Sequence, residues 1–307
     1  MTIGYLAPLG RAWQRARDML FRPFSLATWL VVGFSAWLAG LMDGAGGGGF
    51  PRPHQGWRWH QADLENPLRE AWSWLSQKPD MVMLIGAGIA AALVLMVALL
   101  WISSRAKFIF LDNVVHRRAR VVEPWRRFQR LGASLFLWRL GFFLVVLTFL
   151  AAAAGLLLAM SGGVSGLGFG SPRAISLTVI GLGLMVLLGV GTAYVALFVD
   201  SFVVPLMARE DVTATEAWAV LLPWVEARLG AFMVYGLFVA GWWILVGLAV
   251  VVVGLLTCCV GYVVVMLPYV GTVALLPAWV TYRAFSLEFL AQFDPRLDLL
   301  AADRRLL

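Results

Sequence analysis

The chain has 307 residues, of which 61% are hydrophobic and only 13% charged, with a formal net charge of +7. Soluble domains carry about 25% charged residues, and a soluble chain this apolar would expose patches it could not keep in water. The composition therefore excludes an ordinary soluble domain and predicts an all-α integral membrane protein. The basic residues flank apolar runs rather than forming a separate module, which argues against nucleic acid as a partner and for topology signals and contacts to anionic lipid.

The first 23 residues, "MTIGYLAPLGRAWQRARDMLFRP", contain no short apolar core with a small-residue cleavage site. Leu9, Ala12, Trp13, Ala16, Met19 and Leu20 recur at helical spacing, with Arg11, Gln14, Arg15, Arg17 and Asp18 largely opposite. This pattern predicts an interfacial amphipathic helix over 1–23. A helix crossing the hydrocarbon core needs roughly 20 mostly apolar residues. Six stretches meet that test: 24–42, 81–103, 135–160, 174–199, 231–257 and 260–282. Pro268 and Pro277 predict kinks in the last. Small residues four apart, such as Gly88 with Ala92 and Gly236 with Ala240, permit close helix contact. Trp242 and Trp243 lie mid-helix, as packing residues or facing a cavity.

Between the first two stretches, 43–80 forms an outer loop. It opens with "DGAGGGGFPRP" and then places Leu68, Ala71, Trp72 and Leu75 at helical spacing, which predicts a short surface helix. The segment 104–134 is the main basic loop. Placing the N-terminus, 104–139, 200–230 and 283–307 on one side collects 19 of the 24 basic residues there and leaves five opposite. The positive-inside rule then puts both termini, the basic loop and the 283–307 tail in the cytoplasm. Arg105, Lys107, Arg117, Arg118, Arg120, Arg126, Arg127 and Arg130 become candidate contacts to anionic lipid.

Weak internal similarity runs through the chain. "RLGASLF" (130–136) and "RLGAFMV" (228–234) each open an apolar stretch, with "EPW" and "EAW" shortly before them and "RAW" before the first. "IFLDNVV" and "LFVDSFVV" follow the second and fourth stretches, and "WVTYRAF" puts Arg283 in the corresponding place. The expected plan is one membrane domain of six helices as three hairpins, each preceded by an interfacial helix. Asp112 and Asp200 interrupt apolar strings beyond the hydrocarbon core, where burial against protein is expected. Arg139 and Arg283 are their available partners. We therefore expect Asp112, Arg139, Asp200 and Arg283 to form a polar cluster that locks the inner ends of the hairpins together. The alternative is four separate charges ending their helices in solvent.

No residue pattern carries catalysis. His116 follows Asp112 by one turn, but no nucleophile stands beside it. His54, His60, Asp63 and Glu65 match no metal spacing, and the glycine runs at 44–49 and 161–173 lack the Lys-Ser/Thr of a phosphate loop. Cys258 and Cys259 fit neither a metal site nor a disulfide framework. No cofactor is expected, and the near absence of ionisable groups inside the apolar stretches argues against an ion-coupled carrier.

At "FIFLDNVVHRRARVVEPWRRF", "FVDSFVVPLM" and "LLPAWVTYRAFSLEFLAQF" the chain looks like a family of uncharacterised bacterial multipass proteins. These resemble the membrane domain attached to some glycerophosphodiester phosphodiesterases. The resemblance implies a bacterial inner-membrane location and an accessory architecture without the catalytic barrel, for which too little chain follows the last apolar stretch. The expected function is non-enzymatic: a structural or accessory subunit binding lipids, a membrane complex or a second copy of itself. The alternative is a passive channel or transporter of an apolar or lipid-like substrate.

Overall fold

The computed structural model describes residues 4–22, 24–43, 78–161, 172–258, 260–293 and 298–300. Among the described residues twelve α-helices follow one another: α1 (Leu6–Phe21), α2 (Leu26–Gly40), α3 (Pro79–His116), α4 (Val122–Arg127), α5 (Gln129–Ser161), α6 (Pro172–Phe198), α7 (Val204–Glu210), α8 (Ala214–Ala227), α9 (Leu229–Leu256), α10 (Val260–Met266), α11 (Pro268–Ala274) and α12 (Leu276–Leu290), with one π-helical turn at Val199–Val203. No strand occurs among the described residues, only a single bridge between Phe21 and Phe24. The expected surface helix around Trp72 and the histidines of the outer loop lie outside the described residues.

Among the described residues four helical stretches are long and apolar enough to cross a membrane: Asp80–His116, Gln129–Met160, Ile175–Glu210 and Leu229–Leu256. The sequence led us to expect six. The first expected span holds α2, an apolar helix of 15 residues. At about 1.5 Å per residue it is about 22 Å long, short of a hydrocarbon core of about 30 Å. The sixth, 260–282, is divided among α10, α11 and the start of α12. Leu267 is extended before Pro268, and Pro277 sits in the first turn of α12. A proline there costs no hydrogen bond, because the first N–H groups of a helix have no partner in it. Close packing accompanies the break: a Cβ on Gly271 would stand 2.1 Å from the carbonyl oxygen of Val265.

A second difference concerns the basic loop, expected to start at 104. Helix α3 instead runs on to His116, and residues Ser103 to Val114 are all buried. Hydropathy falls at Ser103 because charges begin, but charges do not end a helix when protein covers them.

Contacts group the chain into two compact units. One comprises 51–98 and 139–193, the apolar parts of α3, α5 and α6. Its side chains stand largely outward, with Met83 72%, Val94 71% and Leu187 69% exposed. Surface of this kind suits lipid tails and not water.

The other comprises 1–50, 99–138 and 194–307 and holds the hydrophobic core. Phe202, Phe232, Tyr235 and Phe289 are fully buried there. Their rings meet at 4.6 Å (Tyr235–Phe289), 4.9 Å (Phe202–Tyr235) and 5.3 Å (Phe202–Phe232), in the tilted and edge-on arrangements aromatic quadrupoles favour. Helix α1 packs along α12. Tyr5 stacks on Phe289 at 5.8 Å, and Gly4 exchanges two hydrogen bonds with the Gln292 amide. The spacing that predicted α1 holds, since Ala12, Ala16, Met19 and Leu20 are buried, but against protein.

Candidate functional site

Two sets of buried polar groups in the core unit are anchored on α3. The first forms around Lys107. Its ammonium donates to Asp43 Oδ2 and to Asp200 Oδ1. Arg283 donates through Nη1 to the carbonyl oxygen of Asp200 and through Nη2 to that of Lys107, at 3.4 Å for the second. Lys107 and Arg283 are each 4% exposed. Lys107 faces two carboxylates and Arg283 two carbonyls, so the set holds two cations and two carboxylates, a balance under which charges tolerate burial.

The local backbone explains why Arg283 seeks a carbonyl. In the π-helical turn, Val204 N–H reaches back five residues to Val199 O. The next donor in that register would be residue 205, aimed at Asp200 O. Residue 205 is proline and has no N–H. The Asp200 carbonyl is therefore left without a helical partner in a buried place, and the Arg283 guanidinium supplies the missing donor. Beside it, Ser201 Oγ joins the hydroxyls of Tyr235 (2.9 Å) and Tyr282 (3.0 Å), tying the turn to α9 and α12.

The second set closes the C-terminus of α3. Arg117 adopts φ 48°, and Arg118 N–H bonds back to Asn113 O. This left-handed exit returns the chain on itself. It brings the Arg118 guanidinium onto the Asp112 carboxylate, with the shortest contact at 2.9 Å. His116 Nδ1 lies 3.1 Å from the same carboxylate and Arg127 3.9 Å. Arg15 of α1 donates to the carbonyls of Val114 (3.2 Å) and Val115 (2.6 Å), which have no acceptor role left inside the helix. Cations at this end also suit the helix dipole.

The expected cluster is thus divided. Asp200 and Arg283 meet, through the aspartate's backbone. Asp112 belongs to the second set, and Arg139 falls in the other compact unit, half-buried. Lys107 and Asp43 are the members that sequence reasoning missed. Asp43 was assigned to the outer loop and Lys107 to the cytoplasmic one, yet they form an ion pair. Helix α2 therefore does not hold them a membrane thickness apart. The available signal was the isolation of Lys107, one of only two lysines, ahead of an uninterrupted apolar "FIFL".

The eight basic residues proposed as lipid contacts separate by burial. Lys107 is internal, and Arg118 is half-buried on Asp112. Arg105 is buried against Trp101 and Trp125. Arg117 is half-buried, while Arg120, Arg126, Arg127 and Arg130 are exposed. Arg120 pairs with Glu123 at 2.7 Å, and Arg130 with Asp211 at 2.7 Å. The Arg120 guanidinium holds the Glu123 carboxyl below its ordinary value. At the start of α8, Thr213 and Glu216 form a reciprocal capping box, whose hydrogen bonds lower the Glu216 carboxyl likewise. Among the described residues no group of three or more His, Cys, Asp or Glu could hold a metal ion. Cys258 is exposed with φ 49°, and Cys259 lies outside the described residues.

No curated protein and no solved structure matches the chain. A family described as being of unknown function matches residues 6–291, a range that takes in both charge sets and all twelve described α-helices. The chain belongs to that family of unknown function, DUF7544.

Proposed function

We propose that this is a non-enzymatic membrane protein, a structural or accessory subunit that binds anionic lipids or a membrane complex. The observation that carries the reading is the balanced set at Lys107. It engages α3, the π-helical turn, α12 and the residue region after α2 through paired groups, as a lock does. The exposed Arg120, Arg126, Arg127 and Arg130 supply the charge for a lipid headgroup surface. The likeness to the membrane domain of some phosphodiesterases supports an accessory role, with bacterial inner-membrane residence as part of the same proposal.

Both termini are proposed to be cytoplasmic, on the strength of 19 basic residues against five. The six-crossing plan draws support from an element order that repeats three times: short helix, apolar helix, longer apolar path. With Asp43 held by Lys107, α2 does not complete the first crossing by itself.

The test is extraction from the native membrane in mild detergent, followed by mass spectrometry of everything retained. A stoichiometric protein partner or a defined lipid complement supports the reading. A bare chain that conducts solutes in liposomes would replace it with the channel alternative.

A further inference from the structure

Buried cations in the core unit have acceptors: Lys107 has two carboxylates, Arg283 two carbonyls, Arg15 two more. Arg105 differs. It is 8% exposed, and its Nε is shut off from solvent without an acceptor among the described residues. Its neighbours are aromatic. The guanidinium carbon lies 4.1 Å over the Trp101 ring and 5.4 Å over that of Trp125. The two indoles meet at 81°, with centroids 5.9 Å apart, and so form a corner. Faces of a guanidinium covered in this way leave its N–H edge as the part that can recognise a ligand.

The arginine is also pinned. A Cβ on Gly132 would stand 2.5 Å from Arg105 Cγ, so glycine is what lets α5 close on the stem. The matching glycine of the second "RLGA" copy, Gly230, has open space around it. The close approach therefore serves Arg105 and not the motif in general. A desolvated cation without a counter-charge is costly, and an anion at its edge removes that cost.

We infer that Arg105, Trp101 and Trp125 form a seat for the phosphate of an anionic phospholipid. Arg105 comes just after the apolar stretch of α3 ends at Ser103, the level at which headgroups begin. Trp101, one turn earlier, is 36% exposed, with an apolar ring for the acyl region. Arg126 and Arg127, next to Trp125 in sequence, are exposed and favour a headgroup of net negative charge. The seat deepens the lipid-binding part of the proposed function and rests on it.

The test is native mass spectrometry of the full chain in detergent, titrated with phosphatidylglycerol, phosphatidylcholine and inorganic phosphate in turn. The expected result is one phosphatidylglycerol held in preference to phosphatidylcholine, weakened by about tenfold or more in Arg105→Gln. Arg105→Lys recovers part of the loss, because it keeps the charge and loses the fork. Arg209→Gln, at an exposed arginine of α7 outside that basic surface, stays within about twofold. Equal phosphatidylglycerol binding by the wild type and Arg105→Gln overturns the seat. Displacement of the lipid by inorganic phosphate overturns the lipid assignment. Should Arg105→Gln fail to fold, Trp101→Leu removes the nearer wall and keeps the charge, and wild-type binding by that variant overturns the seat equally. A partner that still co-purifies with a chain lacking the seat leaves the accessory reading intact, so the two failures are distinguishable.

Discussion

Replacing Lys107 with methionine keeps an unbranched side chain of similar volume and removes its charge and its N–H donors. Asp43 and Asp200 then face one another without the ammonium between them, while Arg283 remains on the Asp200 carbonyl. Breaking one side of a buried ion pair costs about 3–5 kcal/mol. The two carboxylate side chains keep 19% and 24% of their exposure, so the lower end, about 3 kcal/mol, is the expected loss. For a chain of this size 1 kcal/mol moves a thermal midpoint by about 2–4 °C, so the shift should be roughly 6–12 °C. Far-ultraviolet circular dichroism in detergent micelles measures it. The control is the triple variant Lys107→Met, Asp43→Asn, Asp200→Asn, which removes Lys107's charge together with both of its carboxylates, leaves Arg283 on the Asp200 carbonyl, and should recover most of the loss. A Lys107→Met midpoint within about 3 °C of wild type, or a triple variant less stable than the single one, would refute the lock.

Three further outcomes follow from the geometry. Arg283→Met should cost about 3 kcal/mol by orphaning the Asp200 carbonyl, and Pro205→Ala in that background should recover part of it by restoring a backbone donor. An additive loss in the double variant's melting curve would disprove the proline account. Gly132→Ala should destabilise by about 1–3 kcal/mol, since the added carbon would meet the Arg105 stem. Gly230→Ala, in open space, should be neutral or stabilising by up to about 1 kcal/mol in the same thermal assay. Thr213→Ala should cost about 1 kcal/mol through the lost cap of α8. Glu216 has a folded-state pKa below its ordinary value of 4.5, so its contribution is present above that pH and disappears as the pH falls through the folded value. Acid unfolding curves of wild type and Glu216→Gln should therefore draw together at low pH, and a gap that widens there would contradict the sign.

The long apolar helices were legible because 20 or so uninterrupted apolar residues admit few other readings. So were the breaks at Pro268 and Pro277 and the buried face of α1 from Ala12 to Leu20. The continuation of α3 past Ser103 was not legible, since hydropathy records the solvent a residue prefers and not the conformation of its backbone. Asp200 with Arg283 was anticipated from their matching places in the repeat, but not that a proline five residues on would direct the guanidinium to the carbonyl. Asp43 with Lys107 was hidden by the assumption that an apolar run always separates two sides of a membrane. The capping box at Thr213 was readable in "TATE" and went unread, overshadowed by the apolar stretches on either side.

The packing of α1 along α12 has a consequence for biosynthesis. Arg11 pairs with Glu288 at 2.7 Å across 277 residues of sequence. A ribosome adding 5–20 residues per second needs roughly 14–55 s to make that length of chain. For all that time α1 lacks the surface of α12, and of its native contacts it can make only those to earlier elements, such as Arg15 on the end of α3. Helix α12 is what completes the burial of α1. Premature termination before α12 thus leaves the defect at α1, 277 residues away in sequence from the missing partner.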